Sequence, residues 1–264
     1  MSVKVQQSPI QDILEGLVSW RLWIRFGWHD VVARYRRSWL GPFWLIAAMS
    51  IFVVALGVVY STLFKVPIRE YLPFVAIGTV VWQFLSAVAT ESVQTFVEAE
   101  SYIKQVRRSP VLYVFRVVWR NTIVFFNQFV VGLFVAIACG QLSLAYGWLA
   151  ILGLVLLLMQ AWWVTLLVGV LGSRFRDLLP IVTSLMQILF FITPVLWPPS
   201  ALGTNAWIAQ FNPLYHLLET IRGPLLGQVP SLLSYAVTIG LAMCGMAVAY
   251  AIYARFRSRI VYWL

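Results

Sequence analysis

Residues 43–64 read FWLIAAMSIFVVALGVVYSTLF, an unbroken apolar run without one charged side chain. At about 1.5 Å per residue a helix of this length covers about 33 Å, enough for a hydrocarbon core of about 30 Å. The run therefore reads as a membrane span and decides the fold class. Reading outward from it, five more segments of similar character predict spans over 72–95, 118–139, 148–172, 178–197 and 231–254. Pro42, Pro73 and Pro180 fall near the first turns of their helices, where a missing N–H costs little. Pro194, Pro198 and Pro199 close the fifth.

The composition agrees. Of 264 residues, 61% are hydrophobic and 11% charged, against about 45–50% and about 25% in soluble domains. A water-soluble globule is excluded, and an all-α polytopic membrane protein of one domain, 1–264, is expected. The net charge of +10 suits a nucleic-acid partner only if the basic residues are not explained by the membrane. They are. With both termini in the cytoplasm, Lys4, Arg21, Arg25, Arg34, Arg36, Arg37, Lys104, Arg107, Arg108, Arg116, Arg120, Arg174, Arg176, Arg255, Arg257 and Arg259 lie inside. Lys65, Arg69 and Arg222 lie outside, a strong positive-inside asymmetry. Anionic headgroups then account for the basic charge, and no nucleic acid is expected.

Ahead of the first span, Ile13, Leu17, Trp20, Ile24, Trp28, Val31 and Tyr35 recur at steps of three and four, which predicts an amphipathic interfacial helix over 12–37. Asp12, Glu15, Arg21, Arg25 and Asp30 interrupt this region, so a cleavable signal peptide is not expected. Between spans five and six, 198–230 carries short apolar stretches framed by Pro and Gly, which predicts short helices dipping back toward the membrane. Cys139 and Cys244 are too few and too far apart in the pattern for a disulfide framework.

The chemistry that is missing narrows the function. No G-x-x-x-x-G-K-[ST] phosphate loop is present, so ATP hydrolysis belongs to another chain. His29 and His216 fall on opposite sides in this topology and cannot share a metal within one subunit. His216, Glu219 and Arg222 stand at helical spacing and are expected to form a solvated surface cluster. Glu91 lies close to the inner end of its span, where anchoring to a basic neighbour is the expected role rather than an ion relay. Six spans are few for a wide conduit, so two copies around a two-fold axis are expected. Gly132, Ala136 and Gly140 offer a small-residue face on the third span, for contact within a subunit or across a dimer seam.

Several segments then add up. RYRRSWLGPFW at 34–44, RFRDLLPIV at 174–182, TPVLWPPS at 193–200, FNPLYHLLETIRGPLLG at 211–227 and RFRSRIVYWL at 255–264, in this order and topology, resemble the membrane subunit of ABC-2 polysaccharide exporters of the Wzm, KpsM and TarG type. The resemblance runs nearly end to end. It implies a non-catalytic permease of the bacterial inner membrane that passes a polyprenyl-diphosphate-linked glycan outward, with O-antigen as the favoured cargo. It further implies a homodimer on two copies of a Wzt-like ATPase, which binds the ATP and Mg; this chain itself holds no cofactor and no metal. The stretch 96–117 is then the cytoplasmic coupling segment, with Glu98, Glu100, Tyr102, Lys104, Arg107 and Arg108 as ATPase contacts, and 198–230 the periplasmic gate.

Physical reasoning distributes further roles. Arg34, Arg36 and Arg37 sit at headgroup level, where guanidinium forks match phosphate oxygens of either a lipid or the glycan's diphosphate. Arg174 and Asp177, one turn apart, are expected to cap and orient the fifth span. Phe52, Tyr60, Phe190, Phe191 and Trp197 are candidates for a channel on which sugar C–H faces slide. Two other functions compete: an ABC-2 exporter of a different lipid or small molecule, and a membrane-embedded polyprenyl-lipid transferase. The latter needs carboxylates or metal ligands gathered at one membrane face, and the sparse carboxylates here do not gather.

Overall fold

A computed structural model describes residues 8–36, 41, 43–106 and 108–264. Every regular element among them is helical: α1 Pro9–Val18, α2 Trp20–Tyr35, α3 Phe43–Phe64, α4 Ile68–Ser92, α5 Glu100–Gln105, α6 Val111–Ala138, α7 Gly147–Arg174, α8 Leu178–Ile192, α9 Trp207–Gln210, α10 Pro213–Leu225 and α11 Leu232–Trp263, with a 3-10 segment at Pro199–Asn205. Five of these, α3, α4, α6, α7 and α11, are long and apolar enough to cross a membrane. The fifth expected span differs. α8 has 15 residues, about 22 Å, because Thr193 leaves the helix with extended backbone ahead of Pro194.

α4 is the central helix and packs against α3, α6, α7 and α8. Its most apolar window is 61% buried within the chain, whereas that of α3 is 17% buried. Apolar side chains on α4 thus face protein, and most of those on α3 face outward. α7 supports the other half, holding α10 and α11. Two glycines permit this: a Cβ on Gly153 would run into the backbone of Thr220, and one on Gly245 into the Trp163 ring. The small-residue face on the third span serves packing within the chain. Gly132 meets Ile77 of α4 and Ala136 is fully buried. Gly140 belongs to no face, since it follows the helix end in the left-handed region at φ 70°, with open space around it.

The N-terminal region forms two helices, broken at Ser19, where sequence periodicity predicts one. Ser8 and Gln11 cap the first reciprocally. Its orientation also corrects the expectation. Leu17, Trp20 and Trp28 of the apolar stripe are exposed, as an interfacial helix needs, while Asp12 and Asp30 turn inward to basic partners on other helices. Gly16 and Gly27 bring α1 and α2 onto α6, and Trp23 stacks on Phe115.

The bundle has two distinct ends. One gathers α1, α2, α5, the α7–α8 turn and the last turns of α11. The other gathers the α3–α4 turn and everything between Thr193 and Ser231.

Candidate functional site

At the first end, charge is paired across elements. Arg116 of α6 grips Asp30 of α2 with two hydrogen bonds of 2.7 Å. Arg120, one turn on, is nearly buried and reaches three carboxylates: Glu91 at the end of α4 at 2.8 Å, Asp30 at 3.5 Å and Glu98 at 3.5 Å. Glu91 also accepts from Arg34 at 3.0 Å and from Asn121 at 2.8 Å. Three guanidiniums and three carboxylates so tie α2, α4, the turn after α4 and α6 together. Carboxylates do gather at this end, contrary to expectation, but each is engaged by a guanidinium and, among the described residues, no His/Cys/Asp/Glu group is placed to hold a metal. A second tie joins α1 to α11, where Asp12 accepts from Arg257 at 2.7 Å and from the Tyr253 hydroxyl at 3.1 Å. Buried charges persist where such pairing satisfies them.

The connection from α4 to α6 hangs on this network. Phe96 and Ala99 are buried beneath it, and Gly172 of α7 lies so close to Val93 that a side chain there would strike its backbone. Above them α5 presents an outward surface: Tyr102 is about half exposed, and Glu100 and Lys104 pair with each other at 2.6 Å in solvent. Arg108 reaches Glu15 of α1 at 3.7 Å. Glu98 faces the network rather than solvent alone. Arg107 lies outside the described residues, as does Arg37; Arg36 is exposed, and Arg34 is engaged with Glu91.

Arg174 and Asp177 do not pair among the described residues. Asp177 precedes α8 without a side-chain bond to its first turn, and Arg174 lies over the rings of Phe175 and Trp263 at 5.3 Å each.

The second end holds irregular backbone in the interior. Thr193, Pro194, Val195 and Leu196 are all buried, although the chain there is not helical, and away from water each exposed carbonyl needs a partner. Surrounding side chains supply partners to two of these carbonyls and to the Thr193 hydroxyl. Arg222 donates to the Pro194 carbonyl at 2.9 Å, the Tyr71 hydroxyl donates to the Leu196 carbonyl, and Asn212 donates to the Thr193 hydroxyl at 2.9 Å. Gly78 of α4 leaves room for the Val195 carbonyl. Arg222 completes its environment with Glu219 and with the face of Phe74, 3.7 Å from the ring centre. His216 is buried too, bridging the Gln210 carbonyl at 2.8 Å and the Ser234 hydroxyl at 2.9 Å. The solvated cluster expected at His216, Glu219 and Arg222 is thus an interior support, because α10 lies against α7 and α4 instead of in open solvent.

Sequence reading missed Tyr71, Arg120 and Arg222 as organisers. For Arg222 a signal existed: a lone cation within LLETIRGPLL, downstream of a Pro-broken helix end, is what an unsatisfied carbonyl run requires.

The channel candidates scatter. Phe52 on α3 and Phe191 on α8 are exposed. Tyr60 stacks on Phe64, Phe190 packs against Trp82, and the Trp197 indole donates to the Phe191 carbonyl at 3.0 Å. The structure brings Phe190, Phe191 and Trp197 together and leaves Phe52 apart from any ring pair among the described residues.

Residues 22–226 match the sequence family described as ABC-2 type transporter. The chain is 25% identical over 198 residues to a Klebsiella pneumoniae protein named O-antigen export system permease protein RfbA. It is 27% identical over 203 residues to a Myxococcus xanthus protein of the same name. Each similarity covers 73% of this chain and 75% of the relative.

Proposed function

The chain belongs to the ABC-2 type transporter family, and from that premise we propose that it is the transmembrane permease subunit of an ATP-driven exporter of lipid-linked, O-antigen-like polysaccharide. The observation that carries the reading is the family match across 22–226, joined to relatives named as O-antigen export permeases. The membrane-spanning helices supply the transport scaffold.

In this reading the chain is non-catalytic, sits in the bacterial inner membrane as a homodimer, and works with two copies of a separate Wzt-like ATPase that binds ATP and Mg. Both termini are cytoplasmic, which puts the heavily basic end of the bundle inside. A sixth crossing is completed by α8 together with Thr193–Trp197, where the Pro194 and Leu196 carbonyls accept from side chains, as irregular backbone in a membrane requires. α5 and Arg108 are the ATPase contact surface, and Arg120 passes movement of that surface to α2 and α4 through its three carboxylates. The weakly covered face of α3 meets the second copy, and Phe52, Tyr60, Phe190, Phe191 and Trp197 border the glycan's path.

A strain lacking this chain tests the reading. Lipid-linked polysaccharide should accumulate on the inner leaflet, and surface polysaccharide should return when the chain is restored with an active ATPase partner. Surface polysaccharide at wild-type level in the deletion strain overturns it.

A further inference from the structure

At the end that carries α10, cavities of about 360 and 480 Å³ share Tyr215, Glu219, Gly223 and Gln228. They adjoin at these four residues, as two arms of a groove against α10. One arm runs to Glu70 beside the α3–α4 turn, the other to the junction of α10 and α11. Each arm falls in the range of about 300–1,000 Å³ typical of small-molecule sites.

The lining selects the ligand. Its charged groups are Glu70, Glu219 and Arg222, two carboxylates against one guanidinium. Arg222 is 1% exposed, and its N–H groups are already committed to Glu219 and the Pro194 carbonyl. Among the lining residues no cation remains for an anionic ligand, so phosphates and acidic sugars in the groove meet a net negative lining, while the exposed Lys65 and Arg69 stand at the adjoining α3–α4 turn outside that lining. What does remain is hydrogen-bonding capacity. Both bonds from Arg222 use one Glu219 oxygen, Oε1, and Oε2 lies beside Gly223, where a Cβ would sit 3.6 Å from it. The Glu70 carboxylate, the Gln228 amide and the Tyr215 hydroxyl make no side-chain hydrogen bond among the described residues. Carboxylate acceptors, an amide and a phenol beside aromatic rings match vicinal hydroxyls on a sugar with apolar C–H faces.

We propose that this groove is a subsite for neutral sugar residues of the emerging polymer and sets a preference for uncharged over acidic glycans. The proposal rests on the polysaccharide-export reading above and names the substrate class of its outer end.

Saturation-transfer NMR on the full permease–ATPase complex in nanodiscs tests it, with chitotriose as the neutral probe and trigalacturonate as the acidic one. Chitotriose should receive saturation, and Tyr215→Phe or Gln228→Ala should each weaken its binding about fivefold, the loss of one hydrogen bond. Trigalacturonate should stay near background and gain signal in Glu70→Gln. Absence of chitotriose binding, equal binding of both probes, or chitotriose binding unchanged in both variants overturns the subsite. ATP-driven export of the cell's own polysaccharide by the wild-type complex is measured in parallel. Export with any of those three results refutes the subsite alone, whereas no export refutes the reading beneath it.

Discussion

The two ends of the bundle bury charge by different means. Around Arg120, six ionised side chains on four separate segments neutralise one another, and two of them, Arg34 and Glu98, remain nearly half exposed. Around Arg222, a single guanidinium is sealed inside and spends its donors on one carboxylate and one backbone carbonyl. Arg34 and Glu98, at the exposed rim of the first network, can exchange partners at small cost, whereas a cation bonded to buried backbone fixes that backbone in place. In the proposed reading the first end transmits displacement between helices, while the second holds an irregular stretch of chain in place.

The largest expected effect breaks the rigid end. Arg222→Ala strands Glu219 and the Pro194 carbonyl, and should cost about 3–5 kcal/mol, seen as a collapse of folded yield and a lowered Tm in detergent. A Tm within about 2 °C of wild type removes Arg222 from this role. Arg120→Gln should cost less, about 1–3 kcal/mol, because Asp30 keeps Arg116 and Glu91 keeps Arg34. Its signature is uncoupling: ATP turnover by the complex persists while export per ATP falls. If both fall together in proportion to folded protein, Arg120 is only structural.

Tyr71→Phe removes the hydroxyl that satisfies the Leu196 carbonyl, and should cost about 1–2 kcal/mol with ATP turnover unchanged. Loss of turnover in this variant would join the two ends that the comparison separates. Smallest in stability is the double variant Lys104→Glu, Arg108→Glu. Both side chains are about half exposed, so solvent screening holds the change to a few tenths of a kcal/mol. Copurification of the ATPase should nevertheless drop several-fold. Undiminished copurification excludes this surface as the docking site.

The long helices were legible in the sequence because lipid demands continuous apolar runs, and 43–64 matches α3 residue for residue. Burial was not legible. α3 and α4 are both apolar throughout, and only packing separates the helix facing outward from the one facing its neighbours. The same limit hid the polar groups. Arg222 reads as part of a solvated cluster, and Asp12 and Asp30 as interruptions of an apolar region, because hydropathy registers the cost of a charge but not the partner that offsets it: Asp12 meets Arg257 across 245 positions of sequence. The sequence pattern runs to residue 197, five residues past the end of α8, since Pro194–Trp197 stays apolar after the helix stops. Tyr71 carries no local pattern at all, being specified by the Leu196 carbonyl more than a hundred residues away, and Asn212 reads locally as the N-cap of α10 while its bond to the Thr193 hydroxyl does not.

Transport itself tests the account most directly. The chain is reconstituted with its partner ATPase into vesicles loaded on one leaflet with radiolabelled lipid-linked polysaccharide, and arrival of label on the opposite leaflet is followed with a glycosidase that cannot enter. The account predicts ATP-dependent arrival that vanishes when the ATPase carries a dead catalytic site and when this chain is omitted. Arrival at equal rate without this chain, or none with both proteins active, would contradict it.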